Sequence, residues 1–460
     1  MFKNFRREPG FYKRLWMLSL PVILQNIVTF SLGLADTFMV SQLGNEEMAA
    51  VTAANIPVFM ITSMIFGVQN GLSILASQYW GKRDTRSINR CFGVACMLGA
   101  SCILVLALLM AAFPVPIMDL LSNRHDLSLL GAPYLRIIGF SYLFNALSSA
   151  YVSARRSVED TAFGMKVFAT SGGLNIVLNY LLIYGKCGCP ALGVTGAAIA
   201  TLISRIVEFF ICVVSALRSK RLPFEADAFF RPGWDTVRQF VRYSAPIFLN
   251  EAFWGLGTSL TTVILGYTAN SVAMLAANAV IGNLNRLLQV TCFALGMAIA
   301  VVLGKAIGEG QCKDTVQSLA SSLLSFATLV GTAIGILALI LIPIFFVPVV
   351  FPVFKLYGES ARSATILAIT YFAIIPARAY IFTSLIGVLR AGGDVNSAVA
   401  IDLLPLWLLG LPVMALVALV LQMGPWPIAI AMLLEDAIKV PFCAIRIRSG
   451  KWIHDVTVDS

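Results

Sequence analysis

The sequence predicts an all-α polytopic membrane protein with twelve transmembrane helices in two pseudo-symmetric six-helix lobes. Three observations predict it: the composition, the length of the apolar runs and an internal repeat. Of 460 residues, 58% are hydrophobic and 12% charged, with a mean hydropathy of +0.85. A water-soluble globule carries about 25% charged and about 45–50% apolar residues, so a soluble enzyme is excluded first. Nine cysteines are too few for a secreted disulfide scaffold, and glycine triplets and sustained heptads are absent. The apolar runs are about 20–30 residues long and lack the ten-residue alternation of a barrel. Lipid offers the backbone no hydrogen-bond partners, so helices must do the spanning.

Apolar runs punctuated by charge and turn residues place six spans near Leu15–Val40, Met48–Ser77, Cys91–Phe113, Leu135–Ala154, Phe163–Tyr184 and Leu192–Leu217. A polar stretch follows, RSKRLPFEADAFFRPGWDTVRQFVR, whose charges, two prolines and glycine read as a linker with a short surface helix. Six further spans lie near Phe240–Leu265, Val272–Leu303, Ser318–Ile342, Ala364–Leu389, Ser397–Leu421 and Trp426–Ile445. The expected organisation is an N-terminal lobe at 1–217, a cytoplasmic linker at 218–239 and a C-terminal lobe with a tail at 240–460. The first apolar run is too long for a cleavable signal and lacks a small-residue cleavage site, so it is expected to be the first span.

Of the 33 Lys and Arg residues, 25 fall on one side of these spans, five on the other (Arg124, Arg136, Lys186, Lys355, Arg362) and three within them (Arg205, Arg286, Arg378). Basic residues of short connections stay cytoplasmic, so both termini are expected in the cytoplasm and the protein in the inner or plasma membrane. This asymmetry and anionic headgroups account for the net charge of +10 without a nucleic-acid partner. Cysteines 91, 96, 102, 212, 292 and 443 read as packing residues, while Cys187 and Cys189 share an external loop and pair only under strain.

The halves resemble each other in three places. AANIPVFMITSMIFGVQNGLSILASQYWGKRD from Ala53 answers AANAVIGNLNRLLQVTCFALGMAIAVVLGKAIGEG from Ala276, with AAN and GK equally separated at an offset of 223 residues. SLPVILQN around Pro21 answers SAPIFLNE around Pro246, and ARRSVED ending at Asp160 answers VLRAGGD ending at Asp394. With six spans per half both halves start on the same side, so the repeat is parallel.

With LADTFMVSQLGNEEMAAV, GLSILASQYWGKRD, LNIVLNYLLIYG, LGVTGAAIATLIS and LRAGGD in this order and spacing, the chain resembles the multidrug and toxic compound extrusion (MATE) family over nearly its whole length. The resemblance implies a secondary antiporter, without a cofactor, that exports small organic, often cationic, compounds in exchange for H+ or Na+ by alternating access between two lobes. It is expected to work as a monomer in the bilayer.

Ionisable residues within spans are costly and mark functional candidates. Asp36 lies about 20 residues into the first span, where a carboxylate can take a proton or, given further oxygen ligands, hold sodium. Asn175 and Asn179, spaced i, i+4, share one helix face and can supply carbonyl oxygens, and Thr201 can add another; packing by interhelical hydrogen bonds is the competing account. The resemblance implies cation coupling at Asp36, Asn175, Asn179 and Thr201, with Na+ at the first three. Where the family often has a second acid, Asn179 leaves one negative charge.

Glu251 lies about 16 Å into the seventh span, near the midplane. With Arg286 and Arg378 it makes the expected substrate or second cation site, or it simply pairs with either arginine. Some relatives carry an acid near Arg378, so this site is closer to neutral. Arg205 and Glu208, i and i+3, are expected to pair within their helix; Asp402 and the group Glu435, Asp436 and Lys439 read as structural. Pro21, Pro57, Pro246, Pro376 and Pro405 should bend their helices, and bending at Pro21 would link Asp36 to lobe rearrangement. The substrate cleft is expected between the lobes, drawing on Phe253, Trp254, Tyr151, Tyr371 and Met274. The alternatives are a lipid-linked oligosaccharide flippase of the same superfamily and a channel. An enzyme is disfavoured, since HExxH, GxSxG and a P-loop are absent.

Overall fold

The computed structural model describes residues 9–121, 125–268 and 270–458. Lys3, Arg6, Arg7 and Arg124, all counted in the orientation argument, lie outside the described residues. Twelve long helical segments account for most of the described chain. The first six are α1 (Pro9–Ser41), α2 (Asn45–Gly81), α3 (Thr85–Ala112), α4 (His125–Ser157), α5 (Thr161–Tyr184) and α6 (Gly193–Arg218). The second six are α7 (Trp234–Gly266), α8 (Ser271–Gly308), α9 (Lys313–Leu341, running on to Val353), α10 (Glu359–Ala373 with Ile375–Phe382 and Thr383–Arg390), α11 (Val395–Pro405, running on to Val420) and α12 (Pro425–Ala431 with Leu434–Arg448). Short helices lie at Pro114–Leu121, between α3 and α4, and at Ala226–Phe230, in the linker.

Among the described residues, nine of the helices are each long and apolar enough to cross a membrane, ten if the bent pair of α10 counts as one span. The polar side chains Asn250 and Glu251 lower the hydropathy of α7, and α12 is split into pieces of 7 and 15 residues. Several helices run longer than their apolar runs: α4 begins ten residues before the expected Leu135 and ends three after Ala154. Those extra turns carry polar residues such as Asp126, Arg155 and Arg156, which a hydropathy pattern does not count.

Side-chain polarity in these helices is inverted relative to a soluble bundle. On α5 the buried face carries Gly172, Asn175, Asn179 and Ile183 while Ile176, Val177 and Tyr180 point outward. On α4 a seam of Ser141, Asn145, Ser148, Ser149, Ser153 and Ser157 is buried. Small and polar residues face other helices because apolar surface gains nothing by leaving lipid, whereas close backbone approach and interhelical hydrogen bonds do stabilise packing. Thus Ser153 Oγ donates to the Gln69 carbonyl on α2 at 2.9 Å.

The described chain forms two compact units, residues 20–248 and residues 249–458, the latter taking in residues 9–19. In the first, α4 packs on α2, α3 and α6, and α5 on α6. In the second, α8 and α10 pack together with α9, and Leu15 at the start of α1 joins a core with Leu323 and Trp452. Both Pro21 and Pro246 sit within three residues of a unit boundary.

The five prolines act unequally. Helices α1, α2 and α7 continue through Pro21, Pro57 and Pro246. At Pro376 the helix breaks, and the two parts of α10 meet at 46°. Beyond Pro405, α11 widens into π-type turns at Leu406–Gly410 and Leu416–Val420, and Pro343 and Pro348 accompany a similar stretch, Ile342–Val350, in α9. A missing N–H removes one i→i−4 bond, and a wider turn re-satisfies the neighbouring carbonyls.

Candidate functional site

In the unit Leu20–Phe248, α1, α2, α4, α5 and α6 line an open cavity of about 300 Å³. Its position follows from a close helix contact. A Cβ at Gly172 of α5 would overlap the tip of the Leu32 side chain of α1, so glycine gives that leucine room to seat against α5. One turn beyond Leu32 is Asp36; one and two turns beyond Gly172 are Asn175 and Asn179. The contact therefore brings the carboxylate and the amides into register.

A continuous chain of hydrogen bonds results. Asn179 Nδ2 donates to Asp36 Oδ1 at 2.5 Å and to Asn175 Oδ1 at 3.2 Å. Asn175 Nδ2 donates to Thr201 Oγ1 on α6 at 3.3 Å, and Thr201 donates to the Ala197 carbonyl at 3.0 Å. Asn179 is fully buried, and its Oδ1 has no hydrogen-bond partner. Asp36, Asn175 and Thr201 line the cavity together with Tyr134, Tyr142, Phe168 and Arg205. The four expected coupling residues are thus brought together.

Arg205 enters from the wall formed by α6. Its Nη1 donates to Glu208 Oε2 at 2.7 Å, the expected intrahelical pair, and its guanidinium lies 6.0 Å from the Phe168 ring centre. Glu208 is wholly buried and also accepts from Ser171 Oγ (2.9 Å) and Asn145 Nδ2 (3.4 Å).

The second unit does not assemble the expected trio. Glu251 pairs with Arg390 (3.3 Å), which sequence reading had counted as a cytoplasmic loop residue but which is only 3% exposed. Arg378 pairs with Asp436 (2.8 Å) and lies over the Tyr371 ring. Arg286 is exposed and makes no ion pair among the described residues. The i+4 spacing of helices explains the misassignment: similar depth along three helices says nothing of which face each side chain occupies.

Around Glu251 lies a buried network that sequence reading had treated as structural. Asn250 Nδ2 donates to Asp402 Oδ2 at 2.9 Å, and Lys439 Nζ donates to Asp402 Oδ1 at 2.9 Å while lying 3.8 Å from Glu435. Four acids (Glu251, Asp402, Glu435, Asp436) meet three bases (Arg378, Arg390, Lys439). Asn250 Oδ1, Arg390 Nε and Glu435 Oε2 are buried without hydrogen-bond partners. The signal available in the sequence was ionisable residues in α11 and α12 at membrane depth.

Of the residues expected in a substrate cleft, Tyr151, Tyr371 and Met274 are buried in the units' interiors. Tyr371 donates to Asn278 Oδ1 at 3.0 Å, and Tyr151 stacks edge-on to Phe163. Phe253 and Trp254 are exposed. Three of the five are therefore held inside their own units.

The MatE family model matches residues 21–181. The chain is 26% identical over 452 residues to the multidrug resistance protein MdtK of Edwardsiella ictaluri, covering 95% of each chain. It is 23% identical over 442 residues to the uncharacterized transporter YisQ of Bacillus subtilis, covering 96% of this chain and 95% of that one. A solved outward-facing conformation of a multidrug resistance MATE family transporter superposes with a TM-score of 0.84 at 19% identity, covering 98% of both chains. The chain is thus similar to MATE transporters over almost its whole length.

It is therefore a multi-pass membrane transporter and not an enzyme. The Asp36 cavity can be tested for sodium. A hard cation needs several oxygen ligands at once. Here the amides turn N–H groups toward Asp36 and Thr201, the Asn175 and Thr201 oxygens already accept hydrogen bonds, and a guanidinium faces the same space. As arranged, the Asn179 amide holds the carboxylate by an N–H donor, and Asn179 Oδ1 is the amide oxygen left without a hydrogen-bond partner.

Proposed function

We propose that this MATE transporter is a plasma-membrane antiporter that exports small organic, often cationic, compounds in exchange for H+ or Na+ by alternating access. Its lobes are residues 1–217 and 240–460, the linker 218–239 is cytoplasmic, as are both termini, and the unit of function is a monomer. MdtK carries the description of a multidrug resistance protein, and the likeness covers almost the whole chain. The observation that carries the reading is Asp36: an acid of α1 lining a cavity and hydrogen-bonded to α5, whose amides continue the chain to α6. Loading or unloading that carboxylate changes the donors and acceptors shared by three helices, which gives the ion a physical grip on their packing.

The test is energy-dependent ethidium export from cells expressing the wild type or Asp36→Asn, with proton and sodium gradients collapsed separately. Export is expected from the wild type, lost on collapsing one gradient and lost in Asp36→Asn. Export that persists in the variant with its gradient dependence unchanged would remove Asp36 from the coupling step.

A further inference from the structure

We infer that Arg205 closes the Asp36 cavity to sodium and leaves the proton as the ion this transporter exchanges. The inference rests on the reading of Asp36 as the coupling acid and names the ion of that same site.

Arg205 and Asp36 line one cavity of about 300 Å³. A guanidinium has five N–H donors and never gives up its charge. Nη1 is committed to Glu208. No other hydrogen bond of the guanidinium is formed with the described residues, so its remaining donors are available to the cavity. Glu208 does not line that space; it is fully buried behind the arginine and saturated by Ser171 and Asn145. The pair thus presents its positive end to the cavity and hides its negative end.

A metal cation entering next to Asp36 meets repulsion from that end across the cavity the two residues share. It also finds too few oxygens. Of the candidate ligands, Asn175 Oδ1 and Thr201 Oγ1 already accept hydrogen bonds, which leaves the Asp36 carboxylate and Asn179 Oδ1 as the oxygens free to take a cation, short of a full shell. A proton avoids both obstacles. It needs no coordination shell, forms one O–H bond with a carboxylate oxygen and brings no competing ligand demand. The other titratable groups on the walls are Tyr134 and Tyr142 of α4, which stay neutral in this exchange; Arg205 alone places a fixed positive charge among the lining residues.

Removing Arg205 alone would strand Glu208 as an unpaired buried charge, so the test uses the double variant Arg205→Gln/Glu208→Gln, which keeps hydrogen-bonding groups toward Ser171 and Asn145. Purified wild type, double variant and a triple variant that adds Asp36→Asn are measured for saturable binding of radiolabelled Na+ in a sodium-free choline buffer. Wild type and double variant are also reconstituted into liposomes and assayed for ethidium transport under an imposed proton or sodium gradient. In the wild type no saturable Na+ binding is expected, and transport follows the proton gradient alone. The double variant, monodisperse on gel filtration, is expected to bind Na+ with affinity higher by about tenfold or more, and the triple variant to lose it. Sodium-driven transport by the wild type, or a folded double variant that remains blind to sodium, overturns the inference. Proton-driven transport that survives Asp36→Asn alone overturns the underlying reading of Asp36 and leaves a distinct signature, because sodium binding is not involved.

Discussion

At the scale of single residues, Lys439 shows what buried charge requires. Its ammonium is 3% exposed, 2.9 Å from Asp402 and 3.8 Å from Glu435. Taking such ions out of water is costly, and the pairing offsets that cost only while both partners remain. Lys439→Met is therefore expected to destabilise the protein by about 3–5 kcal/mol, read as a lowered midpoint of thermal unfolding in detergent. Adding Asp402→Asn should recover much of the loss, since the uncompensated carboxylate is then gone. If the single variant melts with the wild type, the network is not the closed, water-poor cluster described above. The same logic separates Arg390 from a loop arginine. A residue at the end of an apolar run reads as cytoplasmic by its neighbours, but its side chain reaches back to Glu251.

Among elements, the linker is more than a tether between α6 and α7. Asn89 of α3, nearly wholly buried, donates to the Pro223 carbonyl at 2.9 Å and accepts from the Glu225 amide at 3.5 Å. Phe229 of the short linker helix packs against Phe92 with ring centres 5.1 Å apart. This docking needs Gly93, because a Cβ there would land on the Phe229 carbonyl oxygen. Gly93→Ala should loosen the linker at a cost of about 1–3 kcal/mol, seen as faster proteolytic nicking between residues 219 and 233 while α1–α6 stay folded. An unchanged nicking rate would mean that the linker accommodates the methyl group by sliding. The composition of the linker already indicated a surface helix, but the glycine that seats Phe229 lies 136 residues earlier in an apolar helix, where nothing local distinguishes it from a packing glycine.

For the whole molecule, orientation can be read with two thiols. Cys187 is exposed in the α5–α6 connection and Cys312 in the α8–α9 connection, and both are free. If the basic connections are cytoplasmic, a membrane-impermeant maleimide labels Cys187 in intact cells and Cys312 only after the membrane is opened; the reverse pattern inverts the topology. The Thr315 hydroxyl, 2.9 Å from the Cys312 sulfur, holds that thiol below its ordinary value. The reactive thiolate is therefore populated at lower pH, and labelling of Cys312 in opened membranes should approach its plateau at lower pH than in Thr315→Val.

Hydropathy, the equal spacing of AAN and GK in the two halves and the ordered motifs were enough to indicate a many-helix membrane fold and a resemblance to MATE transporters, because solvation by lipid acts on every residue of a span and is written in local composition. They also singled out Asp36, Asn175, Asn179 and Thr201, since a polar group at membrane depth stands out against an apolar background. Only tertiary structure decided partners: that Glu251 meets Arg390, that Arg378 meets Asp436, and that Arg205 shares a cavity with Asp36. Membrane depth is a one-dimensional quantity, readable by counting along a helix. Which side chains face each other depends on helix rotation and on close contacts such as Gly172 with Leu32, and these are set by packing across the whole unit.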